Sequence, residues 1–233
     1  MVALGRTLVF AANDKMEEII MDTKRQRRES RFWDRFARFY DLFITKKSSG
    51  IYAKILELTL PELQPDWVVL DLATGTGLLA LKMASQVHKV YGLDISAAML
   101  GQAQAKAEER RIGNVEFRVG DACQLPFAEA SFDAVVISNA LHVMLEPERV
   151  LAEVHRVLKS DGRLIAPTFC HGENRLSRLV CWVMGWSGFK TFQRWSIAEY
   201  EQFIAVNGFK VIHKEVLKDI IPLTYLVAEK RVN

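Results

Sequence analysis

The chain has 233 residues, half of them apolar and a quarter charged, an ordinary globular composition with enough apolar mass for a full hydrophobic core. The net charge of +3, from 31 basic and 28 acidic side chains, is too small to signal nucleic-acid binding. The longest apolar run, Leu179 to Trp186, is far short of the ~20 residues a membrane span needs.

Three widely spaced cysteines, Cys123, Cys170 and Cys181, form no CxxC pair. That argues against a disulfide framework or a zinc site, and for a reducing, cytoplasmic setting. Met1 to Ala12 is mildly apolar but carries Arg6 and lacks the pattern of a signal peptide. Residues 14–30 are charge-rich, with Lys24, Arg25, Arg27 and Arg28 clustered. Phe32, Trp33, Phe36, Phe39 and Tyr40 then recur at helical spacing. Ile51, Ile55, Leu56 and Leu58 mark a further helix, and Pro61 and Pro65 close a helical N-terminal cap over residues 1–65. The basic and aromatic stretches allow a membrane-surface helix. Packing of the aromatics on the domain, or around an acceptor pocket, is favoured over such peripheral membrane contact.

From residue 66 onward strands and helices alternate. Trp67–Leu72, Lys89–Leu93, Val115–Val119, Phe132–Ile137 and Arg163–Phe169 read as buried strands. Between them lie helices over Leu78–Gln86, from Ser96 to near Gly113, and over Glu148–Leu158, the last stopped by Gly162. This order predicts an α/β fold, a doubly wound parallel sheet with helices on both faces. An aromatic-rich insertion follows at about 172–195, with Trp182, Trp186, Phe189, Phe192 and Trp195. A helix over Ser196–Val206 leads to strands Phe209–Val216 and Ile221–Glu229. Their link is too short for a crossover, so the pair is expected to be an antiparallel hairpin.

The chemistry concentrates in Asp71-Leu72-Ala73-Thr74-Gly75-Thr76-Gly77, between a strand and a helix. Gly75 and Gly77 let the backbone turn tightly and approach a ligand. With Ala80 they also spell Gly-x-Gly-x-x-Ala, a dinucleotide fingerprint. Three carboxylates bear on the choice. Asp71, before the turn, suits a ligand ammonium and is ill placed beside a pyrophosphate. Asp94, ending the second strand, suits ribose hydroxyls. Asp121, after the third strand in Gly120-Asp121-Ala122, suits the amine of adenine. Together they match an amino-acid head, a ribose and an adenine.

These motifs resemble those of class I S-adenosylmethionine-dependent methyltransferases, in the subgroup that includes ubiquinone/menaquinone biosynthesis methyltransferases. The resemblance continues through Leu125-Pro126-Phe127, Ser131-Phe132-Asp133 and Leu158-Lys159-Ser160-Asp161-Gly162 to Gly208-Phe209 and Leu223 to Lys230. It implies a Rossmann-like seven-stranded sheet over residues 66–233 and S-adenosylmethionine as cofactor. It also implies direct methyl transfer to a small-molecule acceptor, which the aromatic segments allow to be lipophilic; the sequence offers no evident metal cluster and no nucleic-acid partner is expected. Ala73-Thr74 departs from the family's pattern, since many relatives have a Gly or Cys before the Gly-x-Gly; cofactor contacts there are largely through backbone, so the departure is expected to be tolerated. Ile95 and Met99 are candidates to pack on adenine, and Ala122 and Asn139 complete the candidate cofactor contacts. Phe39-Tyr40-Asp41 resembles the family's aromatic-Asp segment that closes over the cofactor.

His142 and His171 follow the fourth and fifth strands, where doubly wound folds place their ligand crevice. Each is a candidate general base, and each is equally a loop histidine bonded to backbone. Tyr40 is a candidate lid or acceptor contact. Two alternatives stand beside the methyltransferase: a nicotinamide-dependent oxidoreductase, on the glycine fingerprint, and a nucleoside-binding module without turnover. A nucleic-acid methyltransferase is disfavoured, because neither a strongly basic stripe nor an Asn/Asp-Pro-Pro-aromatic motif is present.

Overall fold

A computed structural model describes residues 30–37, 40–41, 49–185 and 191–231. The basic cluster at 24–28, Phe39, Trp186 and Phe189 lie outside them. Residues 30–37 are helical (α1). They are followed by α2 (Ser49–Thr59), β1 (Val68–Leu72), α3 (Ala80–Met83), β2 (Lys89–Asp94), α4 (Ala97–Glu109), β3 (Val115–Val119) and β4 (Phe132–Val136). The chain continues through α5 (Pro147–Val157), β5 (Leu158–Ile165), β6 (Thr168–Phe169), α6 (Arg175–Gly185), α7 (Ile197–Val206), β7 (Phe209–Leu217) and β8 (Leu223–Lys230).

The strands form one sheet in the order β3-β2-β1-β4-β5-β8, with β6 and β7 both pairing on β8. Strands β1 to β5 run parallel; β8 runs antiparallel to β5, β6 and β7. Side chains alternate between two cores, as the two-residue strand period requires. Leu70, Leu72, Val135, Ile137 and Leu164 meet Val150, Leu151 and Val154 of α5 and Tyr200 and Ile204 of α7 on one face. Val69, Val90, Ala134, Val136 and Ile165 meet Ile55 of α2 and Ala80 and Met83 of α3 on the other. Burial on both faces explains why β1 is apolar at every position but Asp71. The chain turns from β1 toward β2 and β3 on one side and toward β4 and β5 on the other. The C-terminal ends of β1, β2 and β4 therefore open a crevice at this switch point.

The expected doubly wound sheet and terminal hairpin are present, with four local differences. The predicted seven strands become eight because the fifth is interrupted at Pro167, which has no N–H to donate; β5 and β6 pair with the same strand on either side of it. The helix expected over 78–86 shrinks to Ala80–Met83, since the Asn114 amide captures the carbonyls of Ala84 (2.8 Å) and Val87 (3.1 Å). The helix before β5 ends at Val157, and Leu158 already pairs with Phe132. Gly162 therefore stops no helix. It sits in the irregular pairing that follows, where a Cβ would come within 2.9 Å of Leu158 Cδ2. The insertion holds a helix not read from the sequence, α6, whose Ser177 N–H is capped by Asn174 Oδ1 at 2.8 Å.

The hydroxyl of Tyr200, fully buried on α7, donates to Ala166 O at 2.7 Å and ties that helix to the break after β5. Tyr200→Phe should lower stability to urea by about 1–3 kcal/mol, because a buried carbonyl loses its partner.

Candidate functional site

The turn after β1 is built from left-handed residues. Ala73 has φ 57°, Gly75 56° and Gly77 75°. Gly77 is dictated by space as well, since a Cβ there would lie 2.9 Å from Ala103 Cβ. Ala73 holds the same backbone region with a side chain, a strain on the order of 1 kcal/mol of the kind that gathers at ligand sites. The turn is stitched to β2 by Thr74 N–H to Leu93 O (3.1 Å) and closed by Gly77 N–H to Thr74 O (3.0 Å). Asp71 Oδ2 accepts from Thr74 Oγ1 (2.6 Å) and Ala80 N–H (3.1 Å).

Asp94 joins this turn to the next. Its Oδ2 accepts from Gly75 N–H at 2.8 Å and its Oδ1 from Ser96 N–H at 2.9 Å. Burial raises its pKa, against the pull of those backbone donors. Ser96 caps α4 by accepting from Met99 N–H (3.1 Å) and donates to Asp34 of α1 (2.6 Å). Asp41 accepts from Thr76 Oγ1 (2.5 Å) and pairs with Lys106. Two aspartates thus fasten the N-terminal segment to both crevice turns. Between them Tyr40 lies over Gly75, where an added Cβ would stand 3.8 Å from Tyr40 Cε1. The hydroxyls of Tyr40 and Tyr52 are hydrogen-bonded. Burial pushes Tyr40 up to about 12 and Tyr52 well above the usual phenol range.

These elements border an open crevice. Of the residues expected to bind cofactor, Ala73, Gly75, Asp94, Ile95, Met99, Asp121, Ala122 and Asn139 line it, as does Tyr40. Trp33, one of the aromatics expected on the domain or around an acceptor pocket, lines it as well, and Ser138, Met144, Leu145 and Glu146 line it and were not expected. Ser138 could have been found by its place beside Asn139 at a strand end; the others carry no distinguishing signal. Asp121 Oδ1 accepts from Cys123 N–H at 2.8 Å. Ser138 Oγ and Asn139 Oδ1 are buried with no partner among the described residues, and Asn139 is left-handed at φ 53°.

Asp71, Thr74 and Gly77 are not among the lining residues; they stand behind the turn and set its shape. His142 and His171 do not line the crevice either. Both are buried, with ring centroids 4.9 Å apart. His142 Nδ1 lies 3.1 Å from Thr168 Oγ1, and its carbonyl accepts from Phe192 N–H at 3.0 Å. Burial holds His142 well below its usual pKa and brings His171 down to about 4. Both imidazoles are neutral at physiological pH.

Burial, with a smaller push from Asp94, lifts Asp71 to about 7 against its bonds from Thr74 and Ala80. A carboxyl raised above its unfolded value favours the folded state most at low pH, and that contribution is lost as pH rises through the folded pKa. The stability of the wild-type chain relative to Asp71→Asn should therefore fall between about pH 4 and pH 7, by roughly 4 kcal/mol in all, and level off above. Urea melts across that range measure it.

A family model described as "Methyltransferase domain" matches residues 70–166. The chain is 41% identical over 151 residues to a demethylmenaquinone methyltransferase of Thermotoga maritima, covering 62% of this chain and 63% of that one. It is 31% identical over 205 residues to a ubiquinone/menaquinone biosynthesis C-methyltransferase of Rhizobium etli, covering 84% and 71%. The chain thus spans about two thirds of the length of these relatives. The fold matches that of a SAM-dependent methyltransferase from Methanosarcina mazei at a TM-score of 0.65, with 22% identity and coverage of 76% and 98%. The strand order, the glycine turn with its carboxylates and these likenesses agree: the chain belongs to the class I S-adenosylmethionine-dependent methyltransferases, of the ubiquinone/menaquinone biosynthesis type.

Proposed function

We propose that the crevice binds S-adenosylmethionine through the residues that line it and presents its methyl to a small lipophilic acceptor. One observation carries this reading. The described lining contains Asp94, Asp121 and Glu146, the last paired with Arg149 at 3.1 Å, and no lysine, arginine or histidine is part of it. A negative, partly desolvated wall attracts a ligand bearing a sulfonium and an ammonium and repels a pyrophosphate. Family membership likewise leaves the nicotinamide alternative without support.

The residues fit the cofactor part by part. A carboxylate offers about four acceptor positions, and the backbone of Gly75, Ser96 and Ile95 engages Asp94, so a ribose diol can take what remains. Asp121, with Ile95 and Met99 beside it on the wall, suits adenine. The orphaned oxygens of Ser138 and Asn139 suit the ammonium of the amino-acid head. When bound, the cofactor supplies an activated methyl, which an acceptor O, N, S or C atom takes as the S–CH3 bond breaks. The chain's own work is to align the partners and exclude water. Tyr40, protonated far above neutral pH, acts there as a lid and hydrogen-bond donor and not as a base.

Trp33, Val143, Met144 and Leu145 give the crevice an apolar side suited to a lipophilic ring, and the relatives named above are quinone-biosynthesis enzymes. In this reading Trp33 and Tyr40 of the N-terminal segment shape the acceptor entrance. The free cysteines fit a cytoplasmic site of action. His142 and His171 act from behind the wall as a neutral supporting pair.

Calorimetry should show micromolar binding of S-adenosylhomocysteine, about −8 kcal/mol, and none of NADH. Asp94→Ala should weaken that binding by roughly 1.5–3 kcal/mol; unchanged affinity would remove Asp94 from the ribose site. Absence of methyl transfer to every member of a panel of demethylated quinols and small phenols would reject the acceptor class. His142→Gln should leave kcat well above the ~10²–10⁴-fold loss expected when a general base is removed.

A further inference from the structure

Helix α6 turns its sides the opposite way to the other helices of the fold. Toward the protein it presents Ser177 and Cys181, both buried. The Ser177 hydroxyl donates to His171 O at 3.0 Å, and Cys181 Sγ lies 2.8 Å from Thr191 Oγ1. Away from the protein it carries Leu176, Leu179, Trp182 and Val183, each 52–55% exposed. At about 100° per residue, Leu179 stands across the helix from the midpoint of Ser177 and Cys181. Phe192, next to the residue that Cys181 contacts, is exposed as well. A core-facing helix has the reverse arrangement, with its aliphatic stripe inward.

The charge carried by this segment is mainly basic. Arg175 lies on the outward side of α6 and Arg194 is exposed nearby; Arg178 flanks it with its guanidinium donating to Gly172 O at 2.8 Å, and Glu173 is the sole acid between residues 173 and 194. Aliphatic and indole side chains on one side with arginines at the edge suit the boundary of an anionic bilayer, where apolar groups enter the acyl region and guanidinium groups meet phosphates. The eleven residues of α6 extend about 16 Å, roughly half the hydrocarbon thickness, so such a helix lies in the surface plane. No described helix is long and apolar enough to cross a membrane. A second copy of the chain is a poorer partner. A face about 16 by 10 Å is well below the ~800 Å² per partner of a stable interface, and a two-fold contact would set arginine against arginine.

We propose that α6 is an interfacial docking helix that seats the protein on an anionic phospholipid surface. The helix leaves the fold at the crevice end of the sheet. Ser177 bonds to His171, His171 packs on His142, and Val143 beside it lines the crevice. The inner side of α6 and the crevice therefore share one wall. The proposal does not depend on which acceptor is methylated.

The test is co-sedimentation of the full chain with phosphatidylcholine vesicles, with and without phosphatidylglycerol. Wild type should pellet with the anionic vesicles and be released by salt. Leu179→Ser/Val183→Ser should lower its partition by about tenfold or more while leaving the melting temperature and S-adenosylhomocysteine affinity unchanged. Three results would overturn the proposal: a wild type that stays in the supernatant, equal pelleting of wild type and variant, or a concentration-dependent dimer in sedimentation equilibrium that the variant abolishes.

Discussion

The carboxylate of Asp94 is the joint on which the crevice depends. One oxygen holds the glycine turn after β1 and the other holds the first peptide of the turn into α4. Neither turn can keep its geometry alone, because each leaves backbone N–H groups at the end of a strand with no ladder to join. A single acid at the end of β2 satisfies one donor from each. The left-handed residues at 73, 75 and 77 then stay in place because the surroundings over-determine them. Asp71 supports the same turn from below, and Asp34 and Asp41 fasten the N-terminal segment above it.

This concentration of acids in a buried place has an electrostatic consequence. Asp71 and Asp94 are both lifted toward neutrality by burial, and no basic side chain lines the crevice among the described residues. A cationic ligand in the crevice meets carboxyl groups with no lysine, arginine or histidine on the described wall, and its charge favours their ionised form. Such a site is costly to form and favourable to fill, which is how a fixed polar environment selects for charge. The histidine pair shows the same burial acting on bases. Enclosure behind the wall keeps both rings neutral, and what they contribute is shape.

The outer surface departs from the usual distribution of residues at α6. Elsewhere the helices follow the amphipathic rule, with α5 and α7 packing their aliphatic stripes on the sheet. In α6 the small polar side chains are consumed inside, by the carbonyl of His171 and the hydroxyl of Thr191, and the aliphatic side is left out. Exposed apolar area of this kind is a cost to a chain in water and an asset at a lipid boundary.

Much of this was legible in the residues themselves. Strand order, the hairpin and the glycine turn follow from local pattern: a buried parallel strand is predominantly apolar, and a left-handed turn favours glycine. The three carboxylates at strand ends were equally visible, since a doubly wound sheet places those ends at one crevice. What the tertiary structure decided is how each group is spent. The sequence marks Asp71 as an acid near the ligand; only folding shows it turned inward to Thr74 and Ala80. The sequence places His142 at a strand end, and only folding shows it walled off against His171. Asp34 and Tyr52 carry no local signal, because their partners Ser96 and Tyr40 lie at distances in sequence that no periodicity spans. Local pattern sets which backbone a segment adopts, whereas the direction in which a polar side chain finds its partner is fixed by packing between segments far apart in the chain.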